Sequence, residues 1–179
     1  MGIELARAAV VPQNGPAAAL QRAARRLDSD LARSGSFVTL FHAQLDLATA
    51  RLSYSDAGHG FVLFRRADGT VEELRHVGLP LGVLSDEVYR EDSIVLKPGD
   101  VLIVYGDGLT EAHPDLLMDR AELASLIEDS SSAAQIADHL IALGRGAGPL
   151  TDDLTIAVLR CSTPRPSTGD GPIASSAAA

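Results

Sequence analysis

The feature that most constrains the fold is a nearly unbroken apolar run, Val101–Tyr105, set between two turn motifs. The turn Lys97-Pro98-Gly99-Asp100 precedes the run, and Gly106-Asp107-Gly108 follows it. A short apolar run bounded by turn residues is typical of a buried strand. The pattern therefore predicts a central strand of a packed sheet that ends at an acidic turn.

Other strands are predicted from β-branched and aromatic residues between turn signals. They cover residues 37–41, 51–55, 61–64, 71–74, 93–96 and 154–159. Because short turns separate the first four, we expect these strands to form an antiparallel meander. Apolar residues at helical spacing predict helices over residues 16–34, 120–128 and 133–143, the first ending at Gly35. Strands in runs with inserted helices indicate an α+β fold built on antiparallel sheets.

The composition favours one soluble domain. The chain has 179 residues, and its net charge of −9 argues against nucleic acid or an anionic membrane as a partner. Cys161 is the sole cysteine, which excludes an intrachain disulfide and a cysteine-based zinc site and favours the reducing cytoplasm. We expect a domain over residues 1–161 and a disordered tail over 162–179, where Pro, Ser, Thr, Gly and Ala dominate.

Carboxylates at two turns are the candidates for chemistry. Asp107 lies between Gly106 and Gly108, which would permit an unusual backbone conformation and close approach of a metal ion. Asp152 and Asp153 open the last predicted strand. Each motif alone is more simply a solvated turn or a polar strand start. If both turns lie at one edge of the sheets, their oxygens suit magnesium or manganese.

Histidines offer a weaker signal. His59 lies between Gly58 and Gly60, where it could bind a metal or transfer a proton, but a structural role in a turn is the simpler interpretation. The other four histidines have no metal-ligand spacing with one another. The sequence also lacks a Gly-x-Ser-x-Gly elbow and a phosphate-binding glycine loop. Carboxylate-bound metal chemistry remains.

Several segments, taken in order, resemble the SpoIIE-type branch of the PPM family of metal-dependent serine/threonine phosphatases. They are Phe37-Val38-Thr39, Asp56-Ala57-Gly58-His59, Gly78-Leu79-Pro80-Leu81-Gly82, residues 96–112, and Asp152-Asp153-Leu154-Thr155. The resemblance implies a β-sandwich of antiparallel sheets flanked by helices, with a two-metal centre (Mn²⁺ or Mg²⁺) at one edge. It places Asp107 and Asp152 at metal-ligand positions and Asp153 beside one of them.

The resemblance also implies a reaction and a partner. Two divalent ions would activate a water molecule for hydrolysis of phosphoserine or phosphothreonine without a phosphoenzyme. The substrate would be a phosphorylated regulatory protein of a partner-switching pathway that controls a sigma factor. The chain departs from the family pattern at Gly106, where Thr or Ser is usual, and at Gly60, where Pro is common.

The N-terminal part of the family pattern is a further departure. The family's Gly-Asp pair and Gly-Asp-Val-x-Gly-His-Gly-like loop have no match before Pro16, so we expect a chain that starts inside the domain. Three hypotheses follow: an enzyme completed by a segment encoded elsewhere, a non-catalytic protein-binding module, and a gene fragment that does not fold stably. Activity of the isolated chain is thus a separate hypothesis from its family.

Overall fold

The computed structural model describes residues 15–72, 74, 77–112, 124–125, 127, 131–146 and 153–162. Its helices are α1 (Pro16–Ser34), α2 (Asp107–Ala112) and α3 (Ala133–Gly146). Its strands are β1 (Leu40–Asp46), β2 (Arg51–Ala57), β3 (Val62–Arg65), β4 (Val71–Glu72), β5 (Val77–Gly78), β6 (Asp92–Val95), β7 (Val101–Tyr105) and β8 (Ile156–Arg160). Most of the helix expected over residues 120–128 and the expected tail lie outside the described residues.

The strands form two four-stranded sheets. In the first sheet, β2 pairs with β1 and β6 in antiparallel orientation and with β5 in parallel. The second sheet has the order β4-β3-β7-β8 and is antiparallel throughout. The apolar run is β7, with a partner on each side, so the prediction of a central strand is confirmed.

The expected four-stranded meander is wrong, because β2 and β3 belong to different sheets. Residues 58–61 lie between them, and we call the first three, Gly58, His59 and Gly60, the crossover. Gly58 and Gly60 have φ angles of 72° and 70°, in the left-handed region that glycine adopts without strain. The chain therefore leaves one sheet and enters the other within four residues, a path that a hairpin turn would not give.

The two sheets pack face to face and each carries a helix on its outer face. Alternate residues of β7 separate the two environments, since Leu102 and Val104 face the first sheet whereas Ile103 and Tyr105 face α3. Residues of β1, β2, β3 and β8 complete the apolar layer between the sheets. Helix α1 covers the outer face of the first sheet. The result is an α+β sandwich with four layers, which confirms the α+β fold expected from the sequence pattern and the helix-flanked sandwich implied by the resemblance.

Helix α1 is fixed at both ends. Gly35 adopts a left-handed conformation (φ 62°) and ends the helix. At its start, where Gly15 has no side chain to cap the helix, the Glu91 carboxylate accepts a 3.3 Å hydrogen bond from the amide of Ala17. In the described part of the chain, no helix combines the length and apolarity needed to cross a membrane.

Candidate active site

The first carboxylate of interest stands where β7 ends. Asp107 follows β7 by two residues, begins α2 and has an exposed side chain. The Gly106 amide donates a 2.8 Å hydrogen bond to the carbonyl oxygen of Thr155, just before β8 begins. The Thr110 hydroxyl donates a 2.6 Å hydrogen bond to the Asp107 carbonyl oxygen and so closes the first helical turn. The segment before β8 and the first turn of α2 thus hold the backbone around Asp107, and its carboxylate remains accessible.

The backbone around Asp107 differs from the sequence expectation. Neither Gly106 nor Gly108 has a positive φ angle, so the unusual conformation expected from the two flanking glycines is wrong. The reason is that Asp107 opens a helix instead of a tight turn, and Gly108 is buried inside that helix. A Cβ atom on Gly106 would lie 3.7 Å from the Thr155 Cβ, an ordinary contact distance. The glycine at 106 is therefore not required by the local geometry.

Residues before β8 lie at the same edge as Asp107. A Cβ on Gly106 would lie 3.8 Å from the carbonyl oxygen of Asp153, whose side chain is exposed. We call Gly106, Asp107 and Asp153 the acidic edge. Asp152 lies outside the described residues, so its place at this edge stays a prediction.

The donor chemistry at this edge fits part of a divalent metal site. Carboxylate oxygens are hard ligands that magnesium and manganese prefer, and the accessible Asp107 supplies one. Among the residues that the structure describes, no group of three or more His, Cys, Asp or Glu side chains could hold an ion. If Asp152 joins Asp107, the two carboxylates would hold the metal from the ends of two neighbouring strands.

The crossover lies beside the acidic edge and is held by a buried carboxylate. Asp56 is only 5% exposed. Its Oδ1 accepts a 2.7 Å hydrogen bond from the His59 amide, and its Oδ2 accepts a 3.1 Å bond from the Gly60 amide. In the sequence, Asp56 stands out only as part of a family motif. An Asp two and four residues before glycines is a capping signal that could have identified it.

His59 lies in the crossover and contributes through its backbone. Its carbonyl oxygen accepts a 2.8 Å hydrogen bond from the amide of Phe61, and its ring meets the Phe61 ring edge-on at 6.0 Å. The imidazole Nε2 is buried and has no hydrogen-bond partner in the described part of the chain. The side chain that caps this turn is thus that of Asp56, and His59 does not cap it.

A second charged cluster lies at the opposite end of β7. Asp100, 1% exposed, accepts hydrogen bonds from the amides of Lys97 (2.9 Å) and Ala67 (3.1 Å) and from Arg66 Nη1 (2.8 Å). Arg66 also pairs with Glu72, which is the main reason its pKa is raised, and it stacks on the Phe64 ring. This cluster joins two turns and is separated from the acidic edge by the length of β7.

The layered fold is that of PP2C-type phosphatase domains. The family model "Stage II sporulation protein E (SpoIIE)" matches residues 1–162. The chain therefore belongs to the SpoIIE family, the branch that its sequence resembles. The resemblance to the SpoIIE-type branch of the PPM phosphatases and the expected α+β sandwich are both confirmed.

Curated relatives and solved structures agree with this family. The chain is 32% identical over 161 residues to "Phosphoserine phosphatase RsbU" of Bacillus subtilis, a match that covers 84% of this chain and 47% of RsbU. The RsbU and RsbW domains of Rv1364c from Mycobacterium tuberculosis superpose with a TM-score of 0.70 at 28% identity, covering 91% of this chain and 46% of that one.

A further structural likeness shows the fold alone. The structure of the PP2C phosphatase domain and a fragment of the regulatory domain of SpoIIE from Bacillus subtilis gives a TM-score of 0.69 at 24% identity, over 89% of this chain and 49% of that one. The chain thus spans about half the length of RsbU and of these structures.

Proposed function

We propose that the chain contributes to a metal-dependent protein serine/threonine phosphatase that acts on a phosphorylated regulatory protein of a partner-switching pathway, in the cytoplasm. The observation that carries the proposal is the accessible Asp107 carboxylate, held at the end of β7 and directly beside the start of β8. Membership of the SpoIIE family gives this carboxylate its proposed role. The similarity to RsbU, a phosphoserine phosphatase, supports the substrate class.

The proposed roles follow from the chemistry of the residues. Asp107 and Asp152 would hold Mn²⁺ or Mg²⁺, and Asp153 would support the neighbouring ligand. Such a metal centre, when bound, supplies an activated water and neutralises charge on the phosphoryl oxygens. The chain's own part is to keep Asp107 fixed and exposed at the end of a buried strand, so that a phosphorylated side chain on another protein can reach it.

Metal binding and turnover test the proposal together. Isothermal titration calorimetry with MnCl₂ and MgCl₂ would be run on the 179-residue chain, beside hydrolysis of a phosphothreonine peptide. The expected result is metal binding with metal-stimulated phosphate release, both lost in Asp107→Asn. A matched control is Asp138→Asn, which removes an exposed charge from α3.

The competing function is a non-catalytic module that binds a regulatory protein. Cooperative unfolding of a soluble monomer, together with no metal binding by the parent chain, would favour that module. Metal binding and hydrolysis that both persist in Asp107→Asn would instead overturn the assignment of Asp107.

A further inference from the structure

Two buried aspartates in the described part of the chain have no role in the proposed chemistry. Asp56 and Asp100 are 5% and 1% exposed, and each uses both carboxylate oxygens to accept backbone N–H groups, Asp56 from one loop and Asp100 from two. Buried carboxylates require such partners, so each loop is fixed to its aspartate. Asp56 holds the crossover, near the end of β7, whereas Asp100 holds turns at the start of β7, so loss of each carboxylate should affect a different end of this strand.

Asp56 faces the interior between the two sheets. Side chains alternate along β2, and Asp56 is opposite Phe41 of β1, which packs in the apolar layer between the sheets together with Leu52. The crossover starts two residues later and carries the chain to β3. The carboxylate therefore acts at the point where one sheet is joined to the other.

Contacts lead from the crossover to the acidic edge. After Gly60, the carbonyl oxygen of Phe61 accepts a 3.1 Å hydrogen bond from the Tyr105 amide, and the Phe61 and Tyr105 rings are 5.6 Å apart. Tyr105 is the last residue of β7, and Asp107 is two residues further along. On its other side, Gly58 packs closely against Pro80, where an added Cβ would lie 2.5 Å from Cγ.

We infer that Asp56 is a positioning residue, which fixes the crossover and Phe61 and thereby sets where the end of β7 presents Asp107. The carboxylate of Asp56 is hydrogen-bonded to the crossover, and it acts through the backbone between the two sheets. The metal-binding role of Asp107 rests on the proposed function. The inference that the crossover determines the position of Asp107 is independent of that function.

Asp100 provides a control because it is also a buried carboxylate that accepts two loop amides, with Arg66 as an additional partner. It precedes β7, so its loop lies at the end of the strand that is remote from Asp107. Replacing either aspartate by Asn keeps one acceptor oxygen and puts an NH₂ group against a backbone N–H. Both variants lose a buried hydrogen bond, but only Asp56→Asn loosens the crossover.

The first readout is amide hydrogen exchange by NMR on the full chain, which needs no metal. In Asp56→Asn we expect the amides of Tyr105 and Gly106 to exchange roughly tenfold faster than in the parent. In Asp100→Asn the increase should be confined to amides near Lys97 and Ala67. Unchanged exchange at Tyr105 and Gly106 in Asp56→Asn, or equal acceleration there in both variants, would overturn the inference.

The second readout is Mn²⁺ affinity by calorimetry. Asp56→Asn should weaken Mn²⁺ binding by roughly tenfold, as loss of a supporting group typically does, whereas Asp100→Asn should retain the parent affinity. If the parent chain binds no Mn²⁺, the proposed function fails, and hydrogen exchange alone still decides the role of Asp56.

A different variant covers the case in which Asp56→Asn does not fold. Phe61→Leu leaves Asp56 and its two hydrogen bonds in place but removes the ring contact with Tyr105. Faster exchange at Tyr105 and Gly106 in this variant would support the inferred route. Parent-like exchange at both amides would refute it.

Discussion

The Gly106 amide and the Thr155 carbonyl oxygen are joined by a 2.8 Å hydrogen bond that extends the pairing of β7 and β8 beyond the last paired residues, Tyr105 and Ile156. The pairing that this bond extends places Asp107 and Asp153, which are far apart along the chain, at one edge of the second sheet. The carboxylate of Asp107 is thus supported by two strands, which limits its displacement.

The acidic edge gives the first prediction. Asp107→Asn should abolish Mn²⁺-stimulated hydrolysis of a phosphothreonine peptide and leave the unfolding midpoint nearly unchanged, because the side chain is exposed. Asp152→Asn should have the same effect on hydrolysis. Phosphate release and urea denaturation would be measured side by side, with Asp138→Asn as the control. Hydrolysis at the parent rate in both variants would contradict the assignment.

The local geometry of two glycines gives the second prediction. Gly106→Ala should raise the free energy of unfolding by ~0.4–1 kcal/mol, because position 106 has a φ angle open to any residue and room for a Cβ. Gly58→Ala should instead destabilise the protein, since it combines a φ angle of 72° with a Cβ 2.5 Å from Pro80. Denaturant titrations of both variants would show changes of opposite sign. Changes of the same sign in the free energy of unfolding would contradict the backbone conformation described for one of the two positions.

The charged cluster before β7 gives the third prediction. Asp100→Ala should lower the free energy of unfolding by about 3 kcal/mol, because it leaves two loop amides without an acceptor and removes the buried partner of Arg66. Thermal or urea unfolding measures the loss. The surface pair of Arg33 and Asp30 is the comparison, and Asp30→Ala should change stability little. A similar small effect for Asp100→Ala would show that the cluster is not stabilising.

His42 gives the fourth prediction, which concerns pH. Burial and the nearby Arg22 lower the pKa of His42, and Glu91 opposes them in part. The unfolded chain, with a histidine pKa of about 6.5, then binds the proton more readily than the folded chain. The free energy of unfolding should therefore fall as the pH decreases through about 6.5, until the lower folded-state pKa is also passed.

Urea titrations between roughly pH 8 and pH 5 would measure this dependence. His42→Phe should flatten the curve in this range. His139→Phe, at an exposed position of α3, should leave its slope unchanged. A slope that persists in His42→Phe would assign the proton uptake to another group.

Sequence patterns predicted those helices and strands whose formation depends on residues that are close together along the chain. The apolar run gave β7, and the helical spacing with Gly35 at its end gave α1, because a strand period or helix period is encoded within the segment itself. The six-residue helix α2 was not predicted, since so few residues show no period. Its first residue is Asp107, so the backbone conformations of Gly106 and Gly108 were not predicted either.

The assignment of strands to sheets could not be read from the same patterns. In the sequence, the segment between β2 and β3 resembles a hairpin turn. The two strands belong to different sheets because β2 pairs with β6 and β3 pairs with β7. The nearness of Asp107 and Asp153 likewise depends on pairing between segments remote in sequence. Asp56 is intermediate, because its spacing to Gly58 and Gly60 is local but its burial between the sheets is not.

The order of strand pairing affects how the chain folds during synthesis. All strands of the first sheet have been made by Val95, whereas β7 pairs on one side with β8, which is the last described strand. At typical rates of translation, the edge of β7 waits on the order of several seconds for its partner. An exposed apolar strand edge is a template for pairing with other chains. A nascent chain halted between β7 and β8 should therefore be especially prone to aggregation and dependent on chaperones.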